Sequence, residues 1–408
     1  MHASDGDSRS HPLSQLLTEL AEESVTRRAA HLHRQQVVID AISAARVQIQ
    51  GRWLTNWCSN DYLGLSTHPA LVQAAAEAAQ ALGVGARASR LLAGTTRWHD
   101  ELESRLAAWY GAESAIVFSS GYLTNWGALT TLLSARDEVL IDRLAHASLV
   151  DAVRASRAHL RVFRHNDPAH IAQVWARPSR ARRRMIVTEG VFSMDGDRAP
   201  LADLATMASR TGALLYVDDA HGAFMLGSHG RGAPQAAGVP LDQLVYMATL
   251  GKALGCQGGA IIGPRVLIDA LRHQARSYVF ATALAVPVAA AACTALRMLE
   301  QAGDPLRQRL WNRVRRLAAQ LSRLTQVSQD PSAIVPILVG ESSTAVRIAQ
   351  ALWDRGCWAP AIRPPTVPRG TARLRISVTV AHTDEQIDHL ANSLKDVLGH
   401  KRPVTSDQ

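Results

Sequence analysis

An acid, a histidine and a lysine follow two apolar runs of the kind that form buried strands. Asp218 and His221 come after the run at residues 214–217, and Lys252 follows the run at 244–248. Apolar runs bounded by polar and glycine residues are typical of strands in a parallel sheet, and such sheets bind ligands at the carboxyl ends of their strands. The sequence therefore predicts that these three side chains meet at one edge of a sheet.

This set of side chains suits the chemistry of pyridoxal phosphate. A partly desolvated lysine forms an imine with an aldehyde cofactor, and an aspartate under the ring keeps the pyridine nitrogen protonated. Lys252 and Asp218 are the candidates for these two roles. His221 and Ser193 could reach the phenolic oxygen of the ring. Taken singly, Lys252 could be a surface lysine, and Asp218 with Asp219 could cap a helix or form a metal carboxylate pair.

A phosphate group needs several donors at the start of a helix, where backbone N–H groups and the helix dipole favour an anion. Gly121 and Tyr122 follow the predicted strand at 114–118 and open an apolar helix, so their amides are candidates. Thr249 would add a hydroxyl. His146 is a candidate to stack on the cofactor ring, although a lone histidine near a helix start also serves as a cap.

Two nucleotide motifs fail on inspection. Tyr246 stands where a phosphate-binding P-loop requires glycine, and the Gly83-Val84-Gly85 motif follows an Ala-rich helix where a dinucleotide fingerprint must follow a strand. The 4 cysteines have no pair at the two-residue spacing of a zinc or redox site. The sequence therefore predicts no metal site.

Composition narrows the class of protein. The 408 residues are 47% hydrophobic and 19% charged, with no apolar run of roughly 20 residues, so a membrane-spanning helix is not expected. The first residues lack the basic and apolar regions of a signal peptide, which favours a soluble cytoplasmic protein. The formal net charge is +9, and the sequence has one tight run of basic residues, at 182–184. Nucleic-acid binding is therefore not favoured, and an acidic substrate, a coenzyme A thioester or an acidic carrier protein suits the charge better.

Strands and helices alternate over most of the chain. Alternation of this kind predicts an α/β fold, a mostly parallel central sheet with helices on both faces, followed by a smaller α+β C-terminal domain. We expect an N-terminal helix and short β segment at 1–59, a large domain at 60–299 and the small domain at 300–408. The predicted strands of the large domain lie at 114–118, 138–142, 161–164, 185–188, 214–217, 244–248 and 259–262. Helices are predicted next, at 286–300 and 304–325, before a final β-rich region with strands at 334–339, 356–361 and 372–378.

With these motifs in order, the chain resembles the α-oxoamine synthases, fold-type I pyridoxal-phosphate enzymes that condense an amino acid with an acyl thioester and release carbon dioxide. The resemblance covers nearly the whole chain from Trp53 onward. It rests on the motifs at 59–65, 142–148, 189–196, 217–222 and 249–255, and on Ser89-Arg90 with His99 and Leu102-Glu103.

The resemblance implies a role for each matching residue. Lys252 would bind the cofactor and act as general base, and Arg375 would bind the carboxylate of the amino acid. Thr282 would contact the phosphate of the neighbouring subunit, which implies a homodimer with active sites at the interface. The other implied contacts are Asp218 with the ring nitrogen, His221 and Ser193 with the phenolic oxygen, His146 with the ring face, Gly121, Tyr122 and Thr249 with the phosphate, and Asn60 and Thr366 with the reacting region.

The run at 361–376 resembles the family members that use L-alanine and a pimeloyl thioester in biotin biosynthesis. The sequence leaves two questions open. The acyl carrier could be coenzyme A or a carrier protein, and the protein could instead be a glycine-using relative or a catalytically idle binding protein. The segment 85–90 is less glycine-rich than is usual in the family, so Arg87 and Arg90 either alter the acyl channel or sit in a reshaped loop. From spacing alone, Arg373 and Arg375 could also be solvated charges of an edge strand.

Overall fold

The computed structural model describes residues 11–176, 180–322, 324 and 331–399. Its strands are β1 (Ala41–Ser43), β2 (Arg46–Ile49), β3 (Arg52–Asn56), β4 (Ser114–Phe118), β5 (Glu138–Asp142), β6 (His159–Phe163), β7 (Arg184–Glu189), β8 (Leu214–Asp218), β9 (Val245–Thr249), β10 (Gly259–Gly263), β11 (Ile334–Gly340), β12 (Cys357–Trp358), β13 (Ala361–Ile362) and β14 (Ala372–Ser377).

The helices surround these strands. They are α1 (Pro12–Ala29), α2 (Pro69–Leu82), α3 (Arg97–Tyr110), α4 (Gly121–Leu132), α5 (Ala147–Ala155), α6 (Pro168–Trp175), α7 (Leu201–Thr211), α8 (Gly232–Ala236), α9 (Arg265–Gln274), α10 (Arg276–Val279), α11 (Val286–Leu321), α12 (Ser342–Asp354) and α13 (Asp384–Leu398). Within the described residues, no helix is long and apolar enough to cross a membrane.

The central sheet has seven strands in the order β4-β10-β9-β8-β7-β5-β6. β10 is antiparallel to both of its neighbours, and the pairs from β9 to β6 are parallel. All seven predicted strands lie in this sheet, with their ends within two residues of the predicted ones. The prediction of a mostly parallel α/β sheet is confirmed.

Helices cover both faces of the sheet because neighbouring residues of its strands point to opposite sides. Leu215 and Val217 of β8 pack in one core that includes residues of α3, α7 and α11, and Tyr216 packs in a second core with α4, α5 and α9. All three side chains are fully buried. Gly212 ends α7 in the left-handed conformation (φ +63°), which turns the chain into β8.

Two predicted elements differ from the observed ones, and proline explains both. The two helices predicted at 286–300 and 304–325 are assigned as one helix, α11, interrupted at Ala302 (φ −142°). Pro305 has no N–H to donate to the preceding turn, so the helix deforms there. The predicted end at Thr325 lies outside the described residues. The strand predicted at 356–361 is divided at Pro360 into β12 and β13, which belong to different sheets.

Two smaller sheets flank the central one. β11, β14 and β13 form an antiparallel sheet, in which β14 is the middle strand. β1, β2 and β3 form the antiparallel N-terminal ribbon, and β3 pairs in parallel with β12 from the C-terminal part of the chain. The N-terminal β segment therefore lies beside the small domain. The domain boundaries at 59 and 299 stay a prediction.

Candidate active site

Six strands end at the same edge of the central sheet, because all strands from β4 to β9 run in one direction. The residues that leave these ends include Ser120, Asp142, Glu189, Asp218 and Thr249. β14 brings Arg375 to the same place from the small antiparallel sheet, because Arg375 bonds to the carbonyl of Ser193. The site therefore assembles residues that are far apart in the sequence.

Lys252 faces His221 at the end of β8. The distance between Lys252 Nζ and His221 Nε2 is 2.6 Å. Burial lowers the pKa of Lys252 to about 8, although the nearby carboxylates of Asp218 and Glu189 act to raise it. At neutral pH a useful fraction of this amine is therefore unprotonated and nucleophilic, which an ordinary surface lysine is not.

Asp218 is held with one carboxylate oxygen on each of two donors. Its Oδ2 accepts from Asn125 Nδ2 at 2.6 Å, and its Oδ1 accepts from the backbone N–H of Ala220 at 3.0 Å. Asn125 is oriented in turn by Tyr216, whose hydroxyl donates to Asn125 Oδ1 at 2.8 Å. Asn125 was not predicted; a polar residue on the buried face of the apolar helix α4 is the signal that could have indicated it.

The start of α4 and the end of β9 form a cradle. Ser120 caps α4, and its hydroxyl accepts from the N–H of Leu123 at 3.2 Å. A Cβ on Gly121 would lie 3.3 Å from Thr249 Oγ1 and 3.1 Å from Met247 Cε, so a larger residue would crowd the threonine beside the helix start. The first amides of a helix have no partner within it, which suits an anion at this place.

His146 caps α5 and is fixed by a buried acid. Its backbone N–H donates to Glu189 Oε1 at 2.7 Å, and its Nδ1 accepts from the N–H of Ser148 at 3.3 Å. Burial and then the neighbouring Asp218 raise the pKa of Glu189 well above its usual range. The cap that stood as the alternative is present, and the stacking role of His146 stays a prediction.

Arg375 is buried and makes four contacts. Its Nε donates to the carbonyl of Ser193, its Nη1 to Ser377 Oγ at 2.8 Å, and its Nη2 to Asn60 Oδ1 and the Tyr62 hydroxyl, both at 3.2 Å. With an exposed fraction of 7%, Arg375 is not a solvated edge charge. Four of the five guanidinium N–H groups are engaged, so a carboxylate held by two hydrogen bonds must replace a partner of Nη2.

Three predicted residues contact partners other than the side chains around Lys252. The Tyr122 hydroxyl donates to Asp151 at 2.6 Å, so only its backbone amide remains a candidate for phosphate. Thr366 is exposed, and its hydroxyl accepts from Arg34 at 2.8 Å. Thr282 is also exposed and forms an isolated bridge with Ser89. Their assigned roles stay predictions.

Asp219 and Arg90 have structural contacts. Asp219 Oδ2 accepts from the Tyr246 hydroxyl and from the N–H of Ala233, both at 2.8 Å. Arg90 forms a fork with Glu103, with distances of 2.8 and 3.0 Å. Arg87 is exposed in a left-handed conformation (φ +67°), and both interpretations of the segment 85–90, an altered acyl channel and a reshaped loop, stay predictions. Among the described residues, no cluster of three or more potential ligands could hold a metal ion.

The loop that carries Ser193 is tied to β5 by a histidine. His165 Nδ1 lies 2.9 Å from Asp142 Oδ1, and its Nε2 lies 2.7 Å from Asp197 Oδ2. Burial alone would lower the pKa of His165, but the hydrogen bonds and charges of the two aspartates raise it to about 10. His165 is therefore an imidazolium at neutral pH. Sequence reasoning missed this residue.

We expect His165→Gln to lower the free energy of unfolding by about 3 kcal/mol near pH 6, because two carboxylates lose their cation. The folded pKa of about 10 lies above the unfolded value of about 6.5, so the contribution is complete below about pH 6.5 and disappears as the pH rises toward 10. Thermal unfolding at several pH values checks this. His159→Gln, an exposed control, should have little effect at any pH. An equal loss at pH 6 and at pH 10 would contradict the charged bridge.

These residues fit pyridoxal 5'-phosphate. Gly121, beside Thr249, adds no side chain at the start of α4, where the helix amides suit a phosphate. The amine of Lys252 has a lowered pKa, as an imine-forming lysine requires, and Asp218 is a buried carboxylate beside it. When bound, this cofactor stabilises a carbanion at Cα of an amino acid by drawing charge into its ring.

Comparison with known proteins agrees with this fit. The profile of the family "Aminotransferase class I and II" matches residues 53–394. The 8-amino-7-oxononanoate synthase of Nitrosomonas eutropha (strain DSM 101675 / C91 / Nm57) is 44% identical over 388 residues, which cover 94% of this chain and 100% of that protein.

Solved structures are similar over nearly the whole chain. Serine palmitoyltransferase of Sphingomonas wittichii has a TM-score of 0.87 at 32% identity and covers 95% of this chain and 98% of its own. A structure of SPT with its pyridoxal phosphate has a TM-score of 0.87 at 31% identity, with the same coverage. The cofactor of this protein is pyridoxal phosphate, and the chain belongs to the class I and II aminotransferase family and, within it, to the family of the 8-amino-7-oxononanoate synthases.

Proposed function

We propose that the protein condenses L-alanine with a pimeloyl thioester, with loss of carbon dioxide, to give 8-amino-7-oxononanoate and the free thiol carrier in biotin biosynthesis. The observation that carries this proposal is the 44% identity to a synthase of that name over 94% of the chain. Lys252, Asp218 and His221 meet at one edge of the sheet, which supports a catalytic protein rather than an idle binding protein.

Arg375, Lys252 and Asp218 each have a separate role in the proposed reaction. Arg375, which is buried and lies beside Asn60, binds the alanine carboxylate and orients the Cα–H bond. Lys252 Nζ, which is buried beside His221, would accept the Cα proton of the bound alanine and later return one. Asp218 would hold the proton on the ring nitrogen of the cofactor. The same amine would serve as both anchor and base.

The test is an assay with several amino acids and both thioesters. We expect product from L-alanine and pimeloyl thioester, and little from glycine. Turnover with glycine and a short acyl thioester instead would favour a 2-amino-3-oxobutyrate ligase activity, which is the alternative hypothesis from the sequence. Parallel reactions with pimeloyl-coenzyme A and pimeloyl-carrier protein decide the acyl donor. The cytoplasmic location stays a prediction.

We propose that the active unit is a homodimer. Thr282 is exposed and bridges to Ser89, so its side chain is accessible to a neighbouring subunit, as the resemblance implies. Sedimentation at assay concentration should therefore show a dimer. A fully active monomer would remove this claim.

Arg375→Lys should raise the KM for L-alanine by about tenfold or more, because lysine keeps the charge but loses the fork of two hydrogen bonds. The absorbance of the bound cofactor should not change. Arg369→Lys, on an exposed loop, is the control. An unchanged alanine saturation curve would transfer the role to Arg363 or Arg373, although both already bond to other parts of the chain.

A further inference from the structure

The Tyr62 hydroxyl lies between His221, which contacts Lys252, and the pair Arg375 and Asn60. It lies 2.7 Å from His221 Nδ1, 3.2 Å from Arg375 Nη2 and 3.3 Å from Asn60 Oδ1. Tyr62 is 1% exposed, so no bulk water competes for these contacts. The three distances determine where the phenol proton lies.

Arg375 can only donate, so the Tyr62 oxygen accepts from it and directs its own proton elsewhere. Two acceptors remain, Asn60 Oδ1 and His221 Nδ1. O–H donors prefer distances of about 2.7–2.8 Å, so the 2.7 Å contact with His221 carries the proton and the 3.3 Å contact with Asn60 does not. Asn60 Oδ1 also already accepts from Arg375.

The tautomer of His221 follows from this contact. Burial and the neighbouring Lys252 and Arg375 lower the pKa of His221 well below its usual range, so the ring is neutral. A neutral imidazole that accepts at Nδ1 carries its single proton on Nε2. That nitrogen lies 2.6 Å from Lys252 Nζ, so its N–H is placed to donate to the neutral form of the amine, which has a lone pair to accept it.

We propose that Tyr62 is a positioning residue that holds His221 in the tautomer protonated at Nε2, so that the ring donates toward Lys252 and favours its neutral, nucleophilic amine. Each hydrogen bond in this series is donated in the same direction, from Arg375 to Tyr62, from Tyr62 to His221 and from His221 to Lys252. The inference rests on the proposed function only in taking Lys252 and His221 as parts of the cofactor site. With Nε2 unprotonated instead, the ring would accept from the amine and favour the ammonium form.

The direct test is the 15N spectrum of histidine-labelled, full-length protein, recorded with and without pyridoxal phosphate. His382 supplies an internal reference, because its Nδ1 accepts from the N–H of Thr379 and its Nε2 lies 3.0 Å from the carbonyl of Asn56. We expect His221 to show the same tautomer as His382. A proton on Nδ1 of His221 in the wild-type protein would overturn the proposal without any variant.

Tyr62→Phe removes only the hydroxyl. We expect the Nδ1 resonance of His221 to shift and the tautomer to become mixed, while His382 stays unchanged. The rate at which the cofactor-free protein captures pyridoxal phosphate on Lys252, trapped with borohydride, should fall roughly two- to tenfold near pH 7, the value of one hydrogen bond. Tyr278→Phe, also buried but packed on Phe118, is the matched control and should change neither readout.

The outcomes separate this inference from the proposed function. No substrate enters either measurement, so a failure of the alanine assay leaves the tautomer result intact. An unchanged His221 spectrum in Tyr62→Phe would overturn the positioning role even in a fully active synthase.

Discussion

Replacing Lys252 with alanine should abolish both covalent attachment of the cofactor and turnover. The structure supports a single amine for both tasks, since burial holds the pKa of Lys252 at about 8 and its Nζ lies 2.6 Å from His221. Loss of an anchor and general base together should lower kcat by about 10⁴-fold or more, since general acid–base catalysis alone contributes about 10²–10⁴. Borohydride reduction followed by peptide mapping measures attachment, and product formation measures kcat.

Lys395 provides the control, because it lies in the last turn of α13. Lys395→Ala should retain attachment and near wild-type turnover. Condensation of alanine with the thioester at a near wild-type rate by Lys252→Ala would refute the assignment. Attachment should also accelerate as the pH rises through about 8, because the unprotonated amine is the nucleophile.

Asp218→Asn should retain some cofactor but lower kcat by about a hundredfold or more, since a neutral amide cannot hold a proton on the ring nitrogen. The isosteric amide can accept from only one of the two donors, Asn125 Nδ2 or the N–H of Ala220, so some loss of thermal stability should accompany the loss of kcat. The measurement is kcat together with cofactor content by absorbance.

Asp219→Asn is the matched control on the next residue. Its carboxylate accepts from the Tyr246 hydroxyl and from the N–H of Ala233, and both of these residues are buried in the core. Its effect should therefore fall on thermal stability more than on kcat. Equal losses of kcat in both variants would show that Asp218 has no special electronic role.

The sequence by itself determined the central sheet. Six of its seven strands are short apolar runs between polar or glycine residues, a pattern typical of buried strands, and the edge strand β6 is only partly buried. The order of residues alone therefore located Asp218 at the end of β8 and Lys252 just after β9. Proline modified only the details, at Pro305 and Pro360, where a missing N–H interrupts regular structure.

Only the tertiary structure decided how these residues are held. Tyr62 and Arg375 are 313 positions apart and Asn125 and Asp218 are 93 apart, so no local pattern predicts their hydrogen bonds. The same holds for His165, which bridges two loops. A hydrogen bond depends on distances of a few tenths of an ångström, which are set by the packing of the whole sheet rather than by the identity of either partner.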